Sequence, residues 1–534
     1  MADDSFRGVD EVGGKVEGGV GGARLRPHYG TLHWMVLSVL LAAFGWFYVW
    51  VAERLVLQTN LEVELHGQVE QMDAALEARE GRAADPESEG LSGMVQQWVP
   101  HQTDGLNNPL WPWLVSWVAP EGLEAGYDFE SGESEEFFRL GKWLNVALTG
   151  ALLLSLGMVC GRTFTLLGTI NLVAIAGLGG LLPAVVLFAA DALFSVFFLL
   201  SWICCLAILK KNSLWLYAVL GLVLGLAYLS KSSVVPLLGV FLIVTTYRFF
   251  SALFPWLLGT GSQERGRACE WSCQNHFVGL VFLVFAFVMT AGPRLAHANE
   301  VFDNPAHDYA NTMRWADTAE EAREWKEEHG SKESLVELSE EDRPSLKLYL
   351  KEHSGAEIQA RISEGVEAVV VEFLDLPNFG GEEEEEVKVE VAGGEPEPWQ
   401  QVLPWRGLYL GVLCGVLLLV VLLFPLHRKR AVFPSQRIEV GALPISVFVG
   451  LTVVAYAVAY GWYRPIESAE GLMLVLYAPL VFSVVAGAES LLLRVRRRGE
   501  HLWMLKLYAV LQLVVSAGLV WRVVEIALNP SFAG

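Results

Sequence analysis

The feature that most constrains this chain is the segregation of its charge. Blocks of acidic and basic residues alternate with uncharged apolar stretches of about 20 residues, 440–460 among them. A bilayer core about 30 Å thick needs roughly that length of helix at about 1.5 Å per residue. Backbone groups in hydrocarbon must be satisfied within the segment, so these stretches are expected to be helices. The apolar–polar alternation of an outer-membrane barrel is absent. Spans are expected near 33–52, 142–160, 164–184, 190–209, 213–230, 232–252, 277–296, 405–426, 440–460, 470–493 and 503–527. The expected fold class is therefore an all-α polytopic membrane protein of about 11 transmembrane helices, with a small extracytoplasmic α or α+β subdomain.

Orientation follows from Lys and Arg in the short loops. Arg162, Lys210 and Lys211, Arg265 and Arg267, Arg428 to Arg430, and Arg494 with Arg496 to Arg498 all fall on one expected side, whereas Lys231 and Arg464 fall on the other. This bias places the N-terminus in the cytoplasm and the large loops outside the cytoplasmic (inner) membrane. Residues 1–30 read as a flexible cytoplasmic tail. The span after Arg24 and Arg26 is longer than a signal-peptide core and ends in Glu53-Arg54, so a retained helix is expected. A net charge of −22 would ordinarily suggest repulsion from nucleic acid and anionic surfaces. That reading misleads here because the acid sits in two segments, roughly 56–141 and 297–404. The expected partners include membrane lipid and no nucleic acid. The expected organisation is a transmembrane core over 31–296 that includes the loop 56–141, an acidic subdomain over 297–404, and C-terminal helices over 405–534.

The six cysteines avoid both acidic segments, so no disulfide framework is implied. Cys269, Cys273 and His276 admit a zinc site, although two ordinary thiols explain the spacing as well. The Glu382 to Glu386 run reads as a solvated loop tip. In the second segment helices are expected at Thr318–His329, Glu340–His353 and Ala356–Phe373, with strand-like alternation at Val387–Val391. In the first, the stretch from His101 to Leu114 is rich in Trp and Pro. It reads as a re-entrant or surface helix at the membrane interface, with Pro109 near its first turn.

Ionisable residues at membrane depth default to functional hypotheses. Asp191 and Lys231 lie at adjacent outer turns, Asp104 lies in the Trp-rich stretch, and Glu62 and Glu64 follow the first helix. Carboxylates that deprotonate a hydroxyl, beside a cation that holds phosphate, suit chemistry on a lipid phosphate. An acid at a helix start and a snorkelling Lys explain the same residues structurally. Arg522 and Glu525, three apart on one helix, are expected to pair locally.

The order of these features resembles the GT-C glycosyltransferases, specifically the glycosyltransferase family 39 group of protein O-mannosyltransferases and the lipid A aminoarabinose transferase. Asn108-Pro109-Leu110-Trp111-Pro112-Trp113 is similar to that family's His-Pro-Pro-Leu-Tyr segment. Ala190-Asp191-Ala192-Leu193-Phe194 resembles its second acidic motif, and Gly225-Leu226-Ala227-Tyr228-Leu229-Ser230-Lys231 resembles its Gly-Leu-Ala-x-Leu-Thr-Lys. Pro293-Arg294 and Phe302-Asp303-Asn304-Pro305 look like the entry to the large outer loop. The likeness covers roughly 33–330. Where members carry Asp-Glu after the first helix, this chain reads Asn60-Leu61-Glu62-Val63-Glu64, so the leading Asp is missing.

The resemblance implies a polyprenyl-phosphate sugar donor and a lipid, glycan or protein acceptor. It implies Asp104, or Glu62 as next choice, as general base, and Asp191 as the residue that positions the acceptor or holds a divalent cation. Lys231, Arg294, His101 and Trp111 would contact substrate. Two other classes stay open, a multi-pass transporter and a noncatalytic membrane scaffold. A transporter would favour broken helices, midplane polar groups and paired repeats.

Overall fold

The computed structural model describes residues 30–58, 68–83, 108–123, 132–253, 264–308, 313–329, 332–337, 344, 346–374, 402–404, 406–426, 442–466, 474–498 and 502–528. Among these residues every regular element is helical. Among the described residues nine helices are long and apolar enough to cross a membrane, as in a multi-pass, all-α membrane protein. Two further apolar helices, Leu214–Ser230 and Arg406–Leu426, occupy the other two expected positions.

In chain order the first helices are α1 (Thr31–Gln58), α2 (Gln68–Ala83), α3 (Leu110–Val115) and α4 (Gly132–Cys160). The span Leu166–Val185, α5, contains a π-helical segment at Gly177–Leu181. Then come α6 (Asp191–Lys211), α7 (Leu214–Ser230), α8 (Val235–Leu253) and α9 (Glu264–Phe302). Four helices without a membrane-length apolar window follow: α10 (Ala319–His329), α11 (Lys332–Glu337), α12 (Leu346–Glu352) and α13 (Gly355–Leu374). The chain closes with α14 (Arg406–Leu426), α15 (Ala442–Tyr463), α16 (Tyr477–Arg498) and α17 (Leu502–Leu528).

Helices in lipid gain little from apolar burial against one another, so close backbone approach matters more. The α7–α9 pair illustrates this. A Cβ on Gly221 would lie 2.2 Å from the Leu283 carbonyl oxygen, and one on Gly225 would lie 2.6 Å from Thr290. That contact sets the end of α7, with Tyr228 and Lys231, beside the second half of α9.

Both acidic segments cap the same end of the bundle. From the first, α2 and α3 bury Met72, Leu76, Leu110, Trp111 and Val115 against Phe188, Leu193 and Leu229. Arg79 of α2 ties this layer to the carbonyls of Pro120 and Leu123. The short α3 forms within the Trp- and Pro-rich stretch where a short helix is expected, and Pro109 is its N-cap.

From the second, α13 lies on α15 so closely that a Cβ on Gly365 would meet the Gly461 carbonyl oxygen at 1.9 Å. Val369 and Phe373 of α13 enter the main core, and Phe373 meets the Tyr477 ring. Both α10 and α13 begin with a side-chain cap, as expected where Ser or Thr precedes Glu by three residues. Glu321 N–H donates to Thr318 Oγ1 and Glu357 N–H to Ser354 Oγ. The strand-like stretch Val387–Val391 and the Glu382 to Glu386 run lie outside the described residues.

Candidate functional site

Three chain segments meet at the capped end of the bundle. The first is the start of α6. Asp191 is its first residue, where a carboxylate complements the positive end of the helix. The second is the end of α7, where Lys231 leaves helical geometry (φ −152°, ψ 134°) and a 3₁₀ turn, Ser232–Val234, follows. The third is the return of the chain after α9, reversed at Asp303 in the left-handed region (φ 52°).

Lys231 Nζ donates to Asp191 Oδ1 at 2.6 Å, 40 residues away in sequence. The two side chains are 31% and 23% exposed, enough for a ligand to reach them yet shielded enough to strengthen the attraction. The next residue, Ser232, donates its hydroxyl to Asp308 Oδ2. Asp308 is 7% exposed, and its neighbour His307 stacks on Phe302 at 4.0 Å. The His307 carbonyl accepts from Arg294 Nη2 at 2.8 Å, and Arg294 Nη1 donates to the Tyr228 hydroxyl at 3.3 Å. A contiguous chain of contacts thus joins Asp191, Lys231, Ser232, Asp308, His307, Arg294 and Tyr228.

Of the seven site residues expected from sequence, Asp191, Lys231 and Arg294 come together here. Arg294 is not at a loop entry. It lies within α9, which runs six residues past the expected end at 296, and it is 2% exposed. An interior Pro293 is tolerated in a membrane helix because neighbouring groups can satisfy the carbonyl it frees. Trp111, expected at the substrate, is a packing residue in this structure. It is fully buried, edge-on to Phe188 at 5.8 Å, and it supports the turn that leads into Asp191. Asp104, His101, Glu62 and Glu64 lie outside the described residues.

Sequence reasoning missed Asp308, His307 and Tyr228. Tyr228 lies inside the motif that flagged Lys231. His307-Asp308 follows the Phe302–Pro305 motif by two residues, so the only local signal was a polar pair after a turn.

Asp191 and Asp308 are each engaged, by Lys231 and by Ser232. Among the described residues no group of three or more His, Cys, Asp and Glu side chains is placed to hold a metal ion. His276 is buried and its Nδ1 meets the Tyr217 hydroxyl at 2.7 Å.

Two further polar clusters lie outside the site. Where Thr165 caps the start of α5, at the other end of that span from the turn into Asp191, Glu489 Oε1 accepts from Thr165 at 2.6 Å and from Tyr508 at 3.0 Å. Beside it Asn171 joins Gln512 at 2.6 Å and Ser516 at 2.8 Å. On the capping helices, Asp317 accepts from Tyr349 (2.8 Å), His353 (2.8 Å) and Arg361 (2.9 Å). Arg361 also stacks over Trp462 of α15 at 4.5 Å, which docks this layer on the bundle. Partial burial disfavours the Asp317 carboxylate, but hydrogen bonds from Tyr349 and His353 and the charges of His353 and Arg361 outweigh it and lower its pKa. Desolvation likewise opposes charging of His353, yet the hydrogen bond to Asp317, the Tyr349 carbonyl and nearby acidic charge raise its pKa.

Comparison with family models, characterised proteins and solved structures finds no match for this chain.

Proposed function

We propose that this protein is a membrane glycosyltransferase that moves a sugar from a polyprenyl-phosphate-linked donor to an acceptor hydroxyl or amine at the outer face of the cytoplasmic membrane. The observation that carries this reading is the largely shielded but accessible Asp191–Lys231 pair. It is built from two helix ends and extended by Asp308 and the buried Arg294 at one end of the bundle. The eleven apolar helices would be the spans, and the capping helices would lie outside.

In this reading the lipid tail packs between spans, and Lys231 and Arg294 hold the phosphate. A carboxylate of the site, or Asp104 from the first loop, takes the acceptor proton as general base. The new bond to the anomeric carbon forms as its bond to the phosphate oxygen breaks. The polyprenyl phosphate leaves with that electron pair, stabilised by the two cations. Asp191 orients the acceptor and holds the Lys231 side chain in place.

The test is mass spectrometry of envelope glycans and glycoproteins with and without the gene, followed by transfer assays in nanodiscs with the donor so named. Loss of one sugar, restored by the wild type and not by Asp191→Asn, supports the reading. Unchanged glycans and full activity of Asp191→Asn defeat it.

A transporter is the second reading, and the buried Glu489–Thr165–Tyr508 cluster favours it, because a membrane-buried carboxyl is a common coupling group. Glu489→Gln separates the two. It should leave sugar transfer intact in a transferase and abolish substrate uptake into liposomes in a transporter.

A further inference from the structure

Arg406 is the first residue of α14 and only 3% exposed. Its guanidinium makes no hydrogen bond or ion pair with any described residue, and its Nε is sealed from solvent without a partner. Two physical arguments make this placement anomalous. A buried charge is costly unless it is paired. A cation at a helix N-terminus also faces the positive end of the helix dipole. Both costs vanish if an anion sits there, because the free N–H groups of a first turn and a guanidinium fork both favour phosphate oxygens.

Among the described residues the acid of this region, Glu525, is already engaged by Arg522. The Tyr477 hydroxyl donates to the Arg406 carbonyl at 3.1 Å, which fixes the backbone and leaves the side chain unengaged. The Leu374 carbonyl presses on Gly407, where a Cβ would lie 2.4 Å away. A second cation stands nearby, since Arg522 Nε donates to the Val402 carbonyl at 3.1 Å while Nη1 pairs with Glu525. The flank is lipid-facing, with Leu408 48% and Trp521 74% exposed, so a headgroup phosphate has access from the bilayer.

This position lies at the same end of the bundle as Asp191 but shares no residue with that site. It is reached through α13, whose Leu374 meets α14 and whose Gly365 meets α15.

We propose that Arg406 and the first turn of α14 form a second anion site that binds a phosphate group, carried by a membrane lipid or free in solution. The proposal concerns binding alone and stands whether or not the protein transfers sugar.

The experiment is native mass spectrometry of the full-length protein in detergent, titrated separately with phosphatidylglycerol, phosphatidylcholine and inorganic phosphate. One phosphatidylglycerol should be retained at least about tenfold more tightly than phosphatidylcholine, and Arg406→Gln should lower that retention about tenfold. Arg406→Lys, which keeps the charge and loses the fork, should fall between them. Saturable inorganic phosphate binding lost in Arg406→Gln assigns the site to the free anion. Lipid preference without it assigns the site to a headgroup. Wild type that binds neither probe, or Arg406→Gln that binds both unchanged, overturns the proposal. If Arg406→Gln does not insert, Arg406→Lys decides, and undiminished binding by it is the overturning result.

Discussion

Two ion pairs in this protein have the same length and different meanings. Asp191–Lys231 and Arg522–Glu525 both close at 2.6 Å. The second joins residues three apart on one helix, with Glu525 55% exposed, so helical geometry alone accounts for it. The first joins residues 40 apart, from the start of one helix and the end of another, and both are mostly shielded. Only the packing of α6, α7 and α9 brings that pair together, next to a further carboxylate and a buried guanidinium. A pair that the local helix explains carries little information about function. A pair that needs a tertiary arrangement, at the edge of a membrane, asks for a reason.

The largest effects should come from breaking the non-local pair. Asp191→Asn should reduce sugar transfer by about 10²–10⁴-fold while insertion and thermal stability stay near wild type. Lys231→Ala should raise the concentration of donor needed for half-saturation more than it lowers stability. Donor titrations with each variant in nanodiscs provide the measurement. Donor affinity unchanged in Lys231→Ala would reduce that residue to a snorkelling cation.

A second break targets the dock that places the capping helices over this end. Gly365→Val puts side-chain atoms where the Gly461 backbone already lies, and neither helix can yield easily. Overpacking of this kind costs about 1–3 kcal/mol or more. Limited proteolysis should then release fragments from 313–374 that the wild type protects, while the membrane helices stay resistant.

The docked layer should also respond to pH, through two groups of opposite sign. His353 has a raised pKa, so its contribution is complete below its ordinary value and is lost as pH rises through the higher folded value. Asp317 has a lowered pKa, so its contribution is complete above its ordinary value and is lost as pH falls through the lower folded value. Docking should therefore be tightest at mildly acidic pH, weaken above neutrality and fail again only in strong acid. Hydrogen exchange across 313–374 at several pH values measures this. Asp317→Asn should flatten the alkaline limb, and a limb that persists there would assign it elsewhere.

How legible all this was in the sequence differs between the same two regions. Helices were readable wherever one segment carried its own pattern. The expected 318–329 became Ala319–His329, and 356–373 became Gly355–Leu374, because caps and apolar spacing act within a few residues. Asp191 and Lys231 were readable as costly charges at span ends, and their juxtaposition was plausible from topology. Asp308 was not readable. It enters the site because the chain reverses at Asp303 and returns to Ser232, a contact 76 residues long that no local rule encodes. Arg294 falls near the end of the expected span 277–296, at the entry to the outer loop, whereas the helix runs on to Phe302 through Pro293, a residue that usually ends a helix in water. Inside a bundle packed as tightly as α7 on α9, that rule gives way.

The smallest expected effect makes the sharpest control. Glu525→Gln removes the acidic partner of the local pair without leaving a buried charge, because its side chain is 55% exposed. Exposed pairs at this spacing contribute about 0.2–0.5 kcal/mol, and salt weakens them further. The melting temperature should fall by no more than a degree or two in low salt and not at all in high salt, with sugar transfer unchanged throughout. A larger loss would mean that Arg522 needs Glu525 to hold its bond to the Val402 carbonyl and hence the start of α14. The local pair would then be structural for the second end of the capped face. The contrast with Asp191–Lys231 would become one between two kinds of tertiary work, no longer between function and helix geometry.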